Sequence, residues 1–193
     1  MITANPYDNC PIFENENFLI RMVAVDDAED LLPVYAQPNE SVETNSFNCT
    51  YGYGSRTLDE IKDFIQGWLD EYAKRHFVRW SVVGKQSGKA IGTIELFNRQ
   101  ANDFFNNCAI LRLDLHNDFE QTAIIEEVLA LLLSSTFTLF ECPIIATKVA
   151  PTAKGRMEAL KRLKFFPTEE KAVGREASFD GFWILKAATY NPA

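Results

Sequence analysis

The stretch from Cys108 to Val149 constrains the fold more than any other part of the chain. Cys108 to Leu115 reads as a strand. Ile110, Arg112 and Asp114 fall on one face and Leu111, Leu113 and Leu115 on the other, because side chains alternate across a strand. A long apolar helix should follow from about Gln121 to Phe140, and Pro143 marks its end, since proline removes a backbone donor. Ile144 to Val149 then reads as a buried strand. Strand, apolar helix and buried strand in that order imply a right-handed crossover between parallel neighbours.

The rest of the chain reads differently. Phe18 to Val23 is a strand, followed by a helix for which Asp26 and Glu29 have capping-box spacing; Pro33 should kink or end it early. Residues 38 to 56, rich in Asn, Ser, Thr and Gly, read as a long loop. Thr57 and Glu60 form a second capping box, and Ile61, Phe64, Ile65, Trp68, Leu69 and Tyr72 recur at helical spacing over 57 to 75. Phe77 to Val83 and Ala90 to Phe97 flank the turn Gly84 to Gly88 and read as a hairpin. Residues 98 to 107 are a polar loop. Late in the chain, Lys154 to Leu163 reads as a short helix, and Phe165, Val173 and Ser178 to Leu185 as closing strands. The order β-α-α-β-β-β-α-β-α-β-β predicts an α/β fold with a twisted, mostly antiparallel mixed sheet, in one domain over 1 to 193 with a polar extension at 1 to 16.

Composition narrows the function classes. A net charge of -8 repels phosphate backbones, so nucleic acid is not expected as a partner. Hydrophobic content of 47% suffices for a core. No apolar run approaches the roughly 18 residues of a membrane span, so no segment is expected to cross a membrane, and the N-terminal segment lacks the basic-then-apolar order of a signal peptide. Cys10, Cys49, Cys108 and Cys142 are widely spaced, with no CxxC pair and only two histidines, so no metal site is expected. Reduced thiols in the cytoplasm are the expected state, where the sequon Asn48-Cys49-Thr50 has no role.

A series of segments in this order resembles the GNAT superfamily of N-acyltransferases, most of all its ribosomal-protein-alanine acetyltransferase branch. Phe18-Leu19-Ile20-Arg21 and Asp26 to Leu31 resemble its opening strand and helix, and Gly88 to Ile94, with Gly92-Thr93, its hairpin. Glu127-Val128-Leu129 with Phe137 is similar to its central helix, Ala159 to Phe165 to its late helix, and Gly174 to Ala177 with Asp180-Gly181 to its closing hairpin. The resemblance spans about Phe18 to Leu185. It implies acetyl-CoA as cofactor and an amine, on a small molecule or a peptide, as acceptor; a homodimer stays open.

The resemblance also says where the donor should sit. In the family a loop of the form Arg/Gln-x-x-Gly-x-Gly/Ala holds the pyrophosphate of coenzyme A on backbone N–H groups. Here it falls on Glu120, Gln121, Thr122, Ala123, Ile124 and Ile125, beside Leu113 and Leu115 of the preceding strand. Glycine lets a backbone approach phosphate closely, yet no glycine occurs between Gly92 and Gly155, and the first position is a carboxylate. Family positions on the late helix differ too: Ala153 replaces an Asn, Arg156 a Ser, Leu160 a Tyr found in some relatives, and Lys164 the final Gly.

Among individual residues, Glu95 is the candidate general base, with an exposed strand residue or an ion pair to Arg112 as the alternatives. Arg112 and Asp114 are candidates to line a substrate groove or to form a structural pair. His116 follows that strand and reads as solvated or titrating. Tyr51-Gly52-Tyr53-Gly54 lacks a preceding strand, so it is a lid or an ordinary loop rather than a dinucleotide fingerprint. Three functions stay open: an acetyl-CoA-dependent N-acetyltransferase, a binding module without a working cofactor site, and a transferase with a different acyl donor.

Overall fold

The computed structural model describes residues 5–36, 57–174 and 177–190. The expected loop at 38 to 56, with Cys49 and the Tyr51 to Gly54 pattern, lies outside them, as do Arg175 and Glu176 of the closing hairpin.

An eight-stranded sheet forms the centre, in the order β1-β2-β3-β4-β5-β6-β10-β7. Its strands are β1 (Phe13–Glu14), β2 (Phe18–Met22), β3 (Val78–Gly84), β4 (Lys89–Arg99), β5 (Cys108–Leu115), β6 (Ile144–Lys148), β7 (Phe166–Pro167) and β10 (Phe182–Lys186). A separate pair joins β8 (Ala172–Val173) to β9 (Ser178–Phe179). Neighbours run antiparallel except β5 and β6, which pair in parallel as the crossover requires.

The helices are α1 (Ala28–Tyr35), α2 (Leu58–Ala73), α3 (Thr122–Leu139) and α4 (Lys154–Arg162). One core cluster lies between α3 and the sheet, built from Trp80, Ile94, Leu111, Leu113 and Leu115 against Ile125, Val128, Leu129 and Leu132. A second joins Leu31 and Tyr35 of α1 to Ile61, Ile65 and Trp68 of α2. Among the described residues α3 alone has the length and mean hydropathy, 1.5, of a membrane span, so the expectation that no apolar run approaches that length does not hold for this helix. Helix formation brings residues on either side of its two glutamates into one apolar segment, and the inward side packs on the sheet.

Several local expectations change. Asp27, not Asp26, is the N-cap of α1, and the box with Glu29 does not form. The Asp27 carboxylate instead takes both Arg21 guanidinium nitrogens, at 2.6 and 2.9 Å, and the Ser81 hydroxyl at 2.6 Å. The same carboxylate accepts from Ala24 N at 2.9 Å, capping the short turn Val25–Asp27 that leads into α1. At α2 the box does form: Glu60 N donates to Thr57 Oγ1 at 3.2 Å and Thr57 N to Glu60 Oε2 at 3.1 Å. β4 reaches Arg99 because Asn98 and Arg99 still pair with Ala109 and Cys108. Ser178 to Leu185 is two strands, broken where Gly181 turns with φ +79°. Residues before Phe18 are held on the body of the protein: Trp80 Nε1 donates to Pro11 O and the Tyr72 hydroxyl to Pro6 O, each at 2.9 Å.

Candidate functional site

β3, β4 and β5 carry apolar residues toward α3 and polar ones toward α1 and α2. The strand register sets these polar residues in two cross-strand rows. Arg79, Glu95 and Arg112 form one, and Ser81, Thr93 and Asp114 the other. Charge alternates along the first row. Arg79 is ion-paired with Glu95 and also reaches Asp114 Oδ2 at 3.4 Å, while Arg112 Nη1 stands 3.6 Å from Glu95 Oε1. Tyr35 of α1 closes over the second row, sharing a 2.7 Å hydrogen bond with Thr93 Oγ1 and donating to Asp114 Oδ2 at 3.2 Å. Trp68 of α2 lies against the Arg79 guanidinium at 4.2 Å, within cation–π range.

Glu95, Arg112 and Asp114 therefore do come together, as parts of a buried network. Burial pushes the Glu95 carboxyl up, but the charges of Arg79 and Arg112 and the Arg79 hydrogen bond outweigh it, leaving it below the usual carboxylate range. A carboxylate so held is a weak base. Asp114 goes the other way: complete burial dominates and raises it, against the pull of Arg112, Arg79 and Arg156. Its Oδ1 has no hydrogen-bond partner. Sequence patterning did not single out Arg79 or Tyr35. A charged residue inside the apolar run Val78 to Val83, facing Glu95 in the hairpin register, was the available signal.

The other candidate region is the end of β5. The parallel pairing with β6 runs from Cys108–Ile144 to Leu111–Thr147 and stops, while β5 continues beside β4 to Leu115. The strands part there, leaving the β6 side of Arg112 to Leu115 without a strand. His116 follows, with its Nδ1 accepting from Asp118 N at 3.3 Å, then a short turn and Gln121, the N-cap of α3. The first in-helix bond of α3 is Ile125 N to Gln121 O at 3.0 Å, so the N–H groups of Thr122, Ala123 and Ile124 precede the helical ladder.

Arg156, from the first turn of α4, reaches into this parting and is almost fully buried. Its Nη1 donates to Leu113 O at 2.7 Å, its Nε donates to Glu120 Oε2 at 3.3 Å, and its Nη2 is ion-paired with Glu120 Oε1. Thr122 Oγ1 donates to Gly155 O at 3.1 Å, tying the start of α3 to the start of α4. A cleft of about 430 Å³ lies near the opposite end of β5, lined by Tyr7, Asn98, Gln100, Asn107 and Glu141 among others. No cluster of metal-ligating side chains occurs among the described residues.

These residues do not fit an extended acyl-CoA donor as they stand. The Leu113 carbonyl is already bonded, Arg156 and Glu120 fill the parting, and the loop from Glu120 to Ile125 offers side chains where close backbone approach is needed.

Residues 17–165 match the family model described as an acetyltransferase (GNAT) domain. No curated protein matches the chain significantly. Among solved structures, a probable acetyltransferase superposes with a TM-score of 0.70 at 20% identity, covering 93% of this chain and 99% of its own. The ribosomal-protein-S5-alanine acetyltransferase of Vibrio fischeri gives 0.68 at 15% identity, over 94% of this chain and 100% of that one. RimJ of Mycobacterium smegmatis, solved in complex with CoA-disulfide, gives 0.68 at 14% identity, over 89% and 82%. The likeness in fold thus extends to the branch that the sequence resembles, and the matched span covers the hairpin, the central helix and the late helix. The chain belongs to the GNAT acetyltransferase family.

Proposed function

We propose that this protein uses the GNAT scaffold to recognise an amine-bearing partner, a small molecule or a peptide, and has no working acetyl-CoA site. The observation that carries this reading is the segment Glu120 to Ile125 at the start of α3, which begins with a carboxylate and has no glycine to let its backbone approach a phosphate. The weak basicity of Glu95 between two arginines agrees with it. Membership of an acetyltransferase family supports an amine as the group that the partner presents. Cytoplasmic residence belongs to the same reading, supported by the free thiols of Cys10, Cys108 and Cys142.

An acetyl-CoA-dependent N-acetyltransferase is the second reading. It is favoured by the N–H groups of Thr122, Ala123 and Ile124 at the start of α3, which suit a phosphate if Arg156 gives way. Titration calorimetry with millimolar acetyl-CoA separates the two. The first expects no saturable heat; micromolar binding with acetyl transfer to an amine establishes the second.

A further inference from the structure

We infer that Arg156 is the residue that excludes an acyl-CoA donor from this chain: its guanidinium occupies the parting of β5 and β6, and Glu120 holds it there. The inference rests on the reading above and names the residues responsible for it.

The end of the β5–β6 pairing creates a requirement. Leu113, Asp114 and Leu115 are buried, and buried backbone donors and acceptors need partners. β6 supplies them only as far as Thr147. Beyond that point Leu113 O accepts from Arg156 Nη1. A ligand laid along this edge must therefore displace a bond that the chain makes to itself.

The guanidinium is also hard to move. It is 5% exposed, and a charge at such a site needs a hydrogen-bonded counter-charge. Glu120 provides it through Nε and Nη2, in a forked geometry that lysine could not reproduce. The carboxylate at the head of the loop thus does more than repel phosphate: it anchors the group that fills the space. Arg156 also adds its positive charge near Asp114, so leaving the parting would remove one of the cations facing that buried carboxyl.

The helices reinforce this closure. Gly155 faces the loop: a Cβ there would lie in ordinary van der Waals contact, 3.5 Å from Thr122 Oγ1 and 3.8 Å from Glu120 O. The Thr122–Gly155 bond then sets the first turn of α4 beside the first turn of α3.

The test measures binding of coenzyme A and acetyl-CoA by calorimetry to the unaltered protein, Arg156→Ser/Glu120→Gln and Glu120→Gln, with each fold checked by circular dichroism. The double variant removes both charges and so leaves neither buried alone. It should bind at least about 10-fold more tightly than the unaltered protein. Glu120→Gln, which loosens the guanidinium while preserving the loop's shape, should show a smaller gain and keeps the test available if the double variant unfolds. Folded variants that bind no better than the unaltered protein overturn the role of Arg156 and leave the proposed function standing. Weaker binding by the variants overturns it as well, because Arg156 would then be a ligand for the phosphates. Micromolar binding by the unaltered protein overturns both the inference and the reading beneath it.

Discussion

Arg79 on β3 and Glu95 on β4 are direct cross-strand partners, and both are buried. Each has further partners: Arg79 has Asp114, Tyr35 and the Trp68 ring, and Glu95 has Arg112. The pair belongs to a charged row beneath α1 and α2, in which Arg79 and Glu95 are buried and Arg112 is partly buried.

Arg79→Met should cost about 3–5 kcal/mol, because it leaves Glu95 buried with only the longer contact to Arg112. Arg79→Met/Glu95→Leu should recover much of that loss. Urea midpoints at constant m-value report both. A single variant as stable as the parent would show that Arg79 contributes nothing net.

Asp114→Asn should alter how stability depends on pH. Burial raises the folded carboxyl above its ordinary value of 3.8. The folded state thus holds the proton more tightly than the unfolded state does. The resulting stabilisation is complete below the unfolded value and is lost as pH rises through the folded one. Arg79, Arg112 and Arg156 oppose the shift, Glu95 adds to it, and Tyr35 donates to the carboxyl. Asparagine has no proton to lose. The variant should gain on the parent as pH climbs from 3.8, with the two curves parallel below that value. Denaturant unfolding across this range checks it; a constant difference between the curves contradicts it.

Gly92→Ala should open the sheet where β4 meets the end of β5. A Cβ there would stand 2.1 Å from Asp114 O and 2.9 Å from Leu115 Cα, both backbone atoms that no rotamer change can move. The expected loss is about 2–3 kcal/mol, read from thermal unfolding.

Lys164→Gly should stabilise the protein by about 1 kcal/mol. Lys164 follows α4 with φ +69°, and Phe165 N bonds to Leu160 O at 2.9 Å, closing the helix end. A side-chain-bearing residue is strained in that left-handed conformation, and glycine is not. A raised melting temperature with an unchanged circular dichroism spectrum is the expected result.

The sequence by itself determined what depends on near neighbours along the chain. Alternation placed Arg112 and Asp114 on the face opposite Leu111, Leu113 and Leu115, and β5 came out at Cys108–Leu115 as read. The apolar length of α3 between two strands implied the parallel pair that β5 and β6 form. Thr57 and Glu60 capped α2 as their spacing required, since both partners of that box lie within one turn. Asp26 and Glu29 had the same spacing and made no box: a short turn at Val25–Asp27 precedes α1, which puts Asp26 before the N-cap, Asp27. Tertiary structure also decided the fate of the charges. Register brought Arg79 onto Glu95, and α1 brought Tyr35 onto Asp114. Glu120 and Arg156 lie 36 positions apart, and the packing of α4 against the start of α3 made them one buried pair. Periodicity fixes which face a side chain takes; which distant group it meets there follows from how the elements pack, because a buried charge is stable only where the fold delivers its partner.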